Sequence, residues 1–297
     1  MKCPHCNQEH PDEFQFCPIL GKKIYLLKAC PNTSCPDYGK DILPLDSLFC
    51  PTCGIKLDAI QIFNVDSVSF QMIKVESGTF DMGDDAYDNC QKHRVVITND
   101  YFISKTPVTQ ELWEKIMGNN PSHFNGKYNP VDSVSWNACL QFIIKLNTIL
   151  KQKFRFPTEA EWEFAARGGI KSKNYSYAGS NHLDEVAWYV ENNIFCKGSN
   201  WVIPNDGTQP VAQKLPNELG IYDMSGNVWE WCFDWYTSDY YRQSSVNNPK
   251  GPRFGTERVI RGGCWINDAE GCLLGFRNYF KPDASDNGVG FRLALSC

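Results

Sequence analysis

The chain has 297 residues, of which 42% are hydrophobic, 21% charged and 13% aromatic, with a formal net charge of −5. That balance excludes a disordered or collagen-like chain and leaves ample apolar mass for a core. An acidic molecule repels phosphate, which argues against nucleic acid as a partner, and no apolar run approaches the roughly 20 residues that cross a bilayer.

Cysteine is unevenly placed. Seven of the 14 fall in the first 53 residues. The opening Met1-Lys-Cys3-Pro-His-Cys6 has no apolar run of a secretory leader, so reduced thiols and a cytoplasmic setting are expected. Clustered Cys-x-x-Cys spacing in such a setting points to metal rather than to disulfides.

Residues 1–58 read as a zinc-ribbon region, degenerate over 1–24 and complete over 28–58. Cys30, Cys35, Cys50 and Cys53 form two knuckles with zinc-ribbon spacing, and four thiolates close a structural site with no open position for catalysis. Cys3, Cys6 and Cys17 repeat the pattern, but Leu20 stands where the fourth thiolate belongs. A second zinc with a substitute ligand and a metal-free ribbon are both open readings. This head carries six Lys and seven Asp or Glu. It has no basic surplus to drive counterion release from nucleic acid, and a protein-contacting module or spacer is expected.

Residues 59–68 read as a connection, and 69–297 as one domain. Alternation over 69–75 and 95–98 predicts half-buried strands. Helices are predicted to begin at Thr109 and near Ser135, the second with an apolar stripe through Trp136, Leu140, Ile143, Ile144 and Leu150. A third starts after Thr158, where Glu161 completes a capping box, and Gly168-Gly169 ends it. Beyond 170 the chain is rich in Gly, Asn, Asp and aromatics, which predicts short strands and long ordered loops. Helices early and irregular strands late indicate an α+β domain.

Five motifs in order carry a more specific likeness. They are Phe80-Asp-Met-Gly83, the run from Phe154 to Gly168, the run from Asn217 to Trp231, Arg258-Val-Ile-Arg-Gly-Gly263, and Gly290-Phe-Arg-Leu-Ala-Leu295. Together they resemble the formylglycine-generating-enzyme/sulfatase-modifying-factor family, which implies a C-type-lectin-like fold over about 70–295. Fold does not settle function. The family's copper oxidases use two cysteines five residues apart. Here the second position is Cys272 and the first is Asn267. A lone thiolate cannot build a two-thiolate Cu(I) site, so no copper and no catalysis are expected. The iron-dependent branch needs a His-rich site, which His93, His123 and His182 do not form.

The segment 264–289 is most similar to the variable proteins of diversity-generating retroelements. The resemblance implies a non-catalytic protein whose C-terminal surface is rewritten by mutagenesis of adenines in Asn-type codons. The matching positions are Ile266, Asn267, Asp268, Gly271, Leu273, Leu274, Gly275, Phe276, Asn278, Tyr279, Phe280, Ala284, Ser285, Asp286, Asn287 and Gly288. Such changes cannot reach Gln, Lys, Glu, Met or Trp, and none of these sixteen positions holds one. Composition alone would place about three there. Large apolar groups at 273, 274, 276, 279 and 280 inside a polar rim suit a protein or other macromolecular ligand. The alternatives are a copper-type or divergent enzyme of the family, and a fixed interaction domain with a zinc-ribbon adaptor. The resemblance also implies a calcium site at Asp223, Gly226, Val228 and Glu230, where hard oxygen ligands would suit Ca²⁺. The same residues could instead tie their loop without an ion.

Overall fold

A computed structural model describes residues 60–193 and 207–297, together with the backbone of four short strands outside those spans. The chain divides into two compact units, Met1–Gln61 and Ile62–Cys297. In the first, β1 (Leu27–Ala29) pairs antiparallel with β2 (Asp41–Pro44). Cys3, Cys6, Cys17, Cys30, Cys35, Cys50 and Cys53 lie outside the described residues.

The larger unit begins within β3 (Ile60–Val65) and continues into β4 (Val68–Val75), its neighbour in one sheet. Most of the expected connection is therefore strand. Asp66, at φ 50°, takes the left-handed turn between the two. The ribbon β5 (Gly78–Met82) and β6 (His93–Ile97) follows, then β7 (Tyr101–Ser104). Helix α1 (Gln110–Met117) is capped by Thr109 and ends on Gly118, and α2 (Trp136–Leu150) is capped by Ser135. After β8 (Phe154–Arg155) comes α3 (Glu159–Ala166), whose capping box pairs Thr158 with Glu161. These starts agree with the sequence because a cap is a local hydrogen bond, written within four residues.

Beyond α3 the regular elements are short: α4 (Leu183–Val186), α5 (Val190–Asn193), β9 (Phe195–Lys197), β10 (Asn200–Val202), β11 (Trp229–Trp235), β12 (Arg258–Arg261), β13 (Arg277–Phe280), β14 (Val289–Gly290) and β15 (Ala294–Ser296). Two sheets organise the domain, with strand orders β3-β4-β7-β15-β8 and β13-β12-β11-β14. Between helices and sheets lies an aromatic core in which Trp113 stacks on Phe142 at 5.2 Å and Phe291 meets both edge-on. Trp136, Trp229 and Trp231 are buried in the same cluster.

A second, polar core runs beside the first. Glu159 and Glu163 of α3 face Arg261 of β12 and Arg277 of β13, and Glu230 of β11 faces Arg292; all six are buried. Arg277 holds Glu159 by two contacts, at 2.6 and 2.8 Å. Arg292 holds Glu230 at 2.5 and 2.6 Å. Buried charges persist only when paired and hydrogen-bonded, and the Glu159 and Glu163 pairs join the helix to the sheet that carries the C-terminal segment.

Candidate functional site: the C-terminal segment

The segment leaves β12 through Gly262 and Gly263, both at positive φ (98° and 76°). A Cβ on Gly263 would stand 2.7 Å from the Gly271 carbonyl and 2.8 Å from the Cys272 sulfur, so only glycine fits. The loop then turns on Asn267. Its Oδ1 accepts from the Cys264 amide and the Cys264 thiol, each at 3.0 Å. Arg261 reaches forward into the loop, donating to the Leu274 carbonyl at 2.9 Å and to the Phe276 carbonyl. After β13 the chain is tied again, where Ser133 and Asn137 amides donate to the Asp286 and Pro282 carbonyls. Loops held by buried guanidinium groups and backbone bonds display side chains without depending on them.

Exposure sorts the sixteen candidate positions. Ile266, Asp268, Tyr279, Ser285 and Asp286 are exposed, and Asn267, Leu273, Phe276, Asn278, Phe280, Ala284 and Asn287 are half-buried. Gly271, Leu274, Gly275 and Gly288 are buried, which corrects the expectation that all sixteen lie on one surface. Leu274 is 2% exposed. A Cβ on Gly275 would meet the Gly83 carbonyl at 3.0 Å and the Asp84 Cβ at 2.6 Å. Phe276 and Phe280 also pack on the core, leaving only part of each ring outside.

Residues far away in sequence complete the surface. Tyr279 stacks on Tyr236 at 4.2 Å, and Tyr87 meets Phe276 edge-on at 5.4 Å. Asn89 donates to the Tyr236 hydroxyl at 3.2 Å, while its carbonyl accepts from Arg277 at 2.9 Å. Tyr87, Asn89 and Tyr236 carry no local sequence signal. Only the folding of three chain regions against Arg277 brings them beside the segment.

Neither metal implied by the family resemblance fits these side chains. At the copper positions Asn267 spends its carboxamide oxygen on Cys264, and Cys272 is fully buried in a small apolar cluster with Leu183, Val186 and Tyr189. Burial pushes the Cys264 thiol up to about 11 and raises that of Cys272 further, which opposes thiolate formation. At the calcium positions, the Glu230 carboxylate is engaged by Arg292 and by Trp162 Nε1 at 2.6 Å. Arg292 already supplies the positive charge that a cation would bring. Among the described residues, no three His, Cys, Asp or Glu side chains converge to hold a metal.

Asp223 remains, buried and accepting from the Ala212 amide at 2.8 Å. Burial lifts its carboxyl from 3.8 to about 6. A raised acid favours the native state below its unfolded value, and that contribution is lost as the pH rises through 6. Asp223→Asn is therefore expected to match the parent at pH 4 and to be at least as stable at pH 8. Urea unfolding with calcium or with chelator checks this. Calcium should shift neither protein, and loss of calcium-dependent stability in the variant would restore the ion site.

Among the described residues, no helix is long and apolar enough to cross a membrane. The sulfatase-modifying factor enzyme 1-like domain family matches residues 64–297. A Paenibacillus barcinonensis protein named chaperone LppX is 34% identical over 77% of this chain and 91% of its own length. The formylglycine-generating enzyme of Streptomyces coelicolor is 36% identical over 58% of this chain. The chain spans about half of that enzyme, 55% of its length. Among solved structures, Treponema denticola variable protein 1 superposes with a TM-score of 0.71 at 33% identity, covering 80% of this chain and 99% of that one. The chain thus belongs to the sulfatase-modifying factor family, in its C-type-lectin-like fold.

Proposed function

We propose that this protein is a non-catalytic binding protein whose ligand surface is the exposed part of residues 266–287, framed by Tyr87 and Tyr236. The observation that carries this reading is the sorting of the segment. Glycines, Leu274, Cys272 and the arginines are buried and hold the backbone, while Ile266, Asp268, Tyr279, Ser285 and Asp286 are exposed. The likeness to the Treponema variable protein supports it, because the same scaffold there belongs to a protein named for its variability. Tyr279 and the outer edges of Phe276 and Phe280 offer aromatic anchors, and Asp268, Asn278, Asp286 and Asn287 offer a polar rim. That combination suits a protein or other macromolecular ligand. The cysteine head, through Cys30, Cys35, Cys50 and Cys53, is read as a structural zinc module attached to this display domain.

The neighbouring DNA tests the reading directly. A reverse-transcriptase gene and a near-copy of the coding segment for 264–297, differing mainly at adenines, are expected. The family also contains formylglycine-generating enzymes, so the chemical test is incubation with copper and a cysteine-containing peptide. No aldehyde is expected by mass spectrometry, and turnover would make the oxidase reading the correct one.

A further inference from the structure

One buried arginine is held differently from the others. Arg277 and Arg292 each grip a glutamate side-on, through Nε and Nη2, at 2.5 to 2.8 Å. Arg258 of β12 is only 8% exposed, yet the same two donors are unpaired. Its Nη1 donates to the Phe233 carbonyl, Nε is buried without a partner, and Nη2 has none among the described residues. Arg261 Nε also lacks a hydrogen bond, but Glu159 stands 3.6 Å from it. Asp234 of β11 acts on Arg258 only from a distance. It accepts the Glu159 amide at 2.8 Å, and burial holds its carboxyl well above the usual range, so it offsets little positive charge. Burial accordingly lowers the Arg258 guanidinium to about 10.

Aromatic rings surround this cation. Its central carbon lies 3.5 Å from the Trp235 ring centroid, 4.0 Å from that of Trp136 and 5.7 Å from that of Phe233. Rings over a guanidinium engage its faces, which leaves the in-plane edge for a hydrogen-bonding partner. Both indoles are fixed. Trp136 donates to the Cys232 carbonyl at 2.9 Å, and Gly255 lies so close to Trp235 that a Cβ would stand 2.8 Å from the Trp235 Cβ. Phe233 is 44% exposed, although the residues before and after it on β11 are buried. Of the two unpaired donors only Nε is buried, so Nη2 is the end of the fork that meets solvent.

From this unpaired fork, framed by two fixed indoles and an exposed phenyl ring, we infer that Arg258 is the anion seat of a binding site for a carboxylate borne on a planar apolar body. The carboxylate meets Nε and Nη2 as Glu159 meets Arg277, the side-on geometry in which a guanidinium recognises two coplanar oxygens. The apolar body covers Phe233. Phosphate carries more charge and has more hydration to lose against an aromatic wall. Arg258, Trp235 and Phe233 lie outside 264–289, so the site does not rest on the display reading.

Titration calorimetry on the full chain with benzoate, benzylamine and inorganic phosphate tests the inference. Saturable one-to-one binding of benzoate is expected, with none of the amine and phosphate weaker by roughly tenfold or more. Arg258→Lys keeps the charge but loses the fork, and should weaken benzoate by roughly tenfold or more. Phe233→Ala should weaken it as well. Because Phe233 is exposed, that variant decides the matter should Arg258→Lys fold poorly. Tyr279→Ala, on the proposed ligand surface, should leave the titration unchanged. Absence of benzoate binding, amine or phosphate binding as tight, or benzoate binding unmoved by the deciding variant would each overturn the assignment.

Discussion

Arg277→Met is expected to destabilise the larger unit by about 3–5 kcal/mol, because it strands the buried Glu159 carboxylate. The guanidinium holds both Glu159 oxygens, donates to the Asn89 and Thr237 carbonyls, and lies 4.0 Å from the Tyr241 ring centroid. Arg261, with Nε 3.6 Å from Glu159, is already committed to Glu163 and cannot take over both oxygens. Urea unfolding followed by tryptophan fluorescence reads the loss. The double variant with Glu159→Gln should recover a good part of it, since removing both charges ends the uncompensated burial. A single variant as stable as the parent would remove the polar core from the account of how the segment is held.

The second large effect is expected inside the segment itself. Leu274→Ala should cost about 2–5 kcal/mol, the range for deleting a buried leucine side chain. Gly275→Val should be at least comparable, because its Cβ meets the Gly83 carbonyl, which is backbone and cannot turn aside. Ile266→Ala and Ser285→Ala, at exposed positions of the same segment, should stay within about 0.5 kcal/mol. Four purified variants and one unfolding series are enough. If Leu274 proved as tolerant as Ile266, the division of the segment into frame and display would fail. If it holds, only the outward positions are free to change, and the ligand surface is smaller than sixteen residues.

Much of the fold was legible in the residues. Helix starts at Thr109, Ser135 and Thr158 were readable because capping is local chemistry. The α+β class followed from where helical periodicity stops, and the ordered motifs pointed to the family. The polar core was not legible. Glu159 and Arg277 stand 118 residues apart, and nothing local distinguishes them from surface charges. Asp223 and Glu230 had the residue types of a cation site, but Arg292, brought in by the last strands, occupies Glu230 instead.

The same division runs through the candidate surface. By itself the sequence determined which positions match a variable segment and that Asn267 replaces a thiolate, because both are matters of residue identity and spacing. Only the tertiary structure decided which of those positions face outward, since the segment has no regular period from which facing can be read. It also decided that Tyr87 and Tyr236 share the surface, and that Phe233 and Trp235 stand beside the Arg258 guanidinium. Exposure and proximity belong to the packed chain, where buried arginines and backbone contacts set the path of each loop.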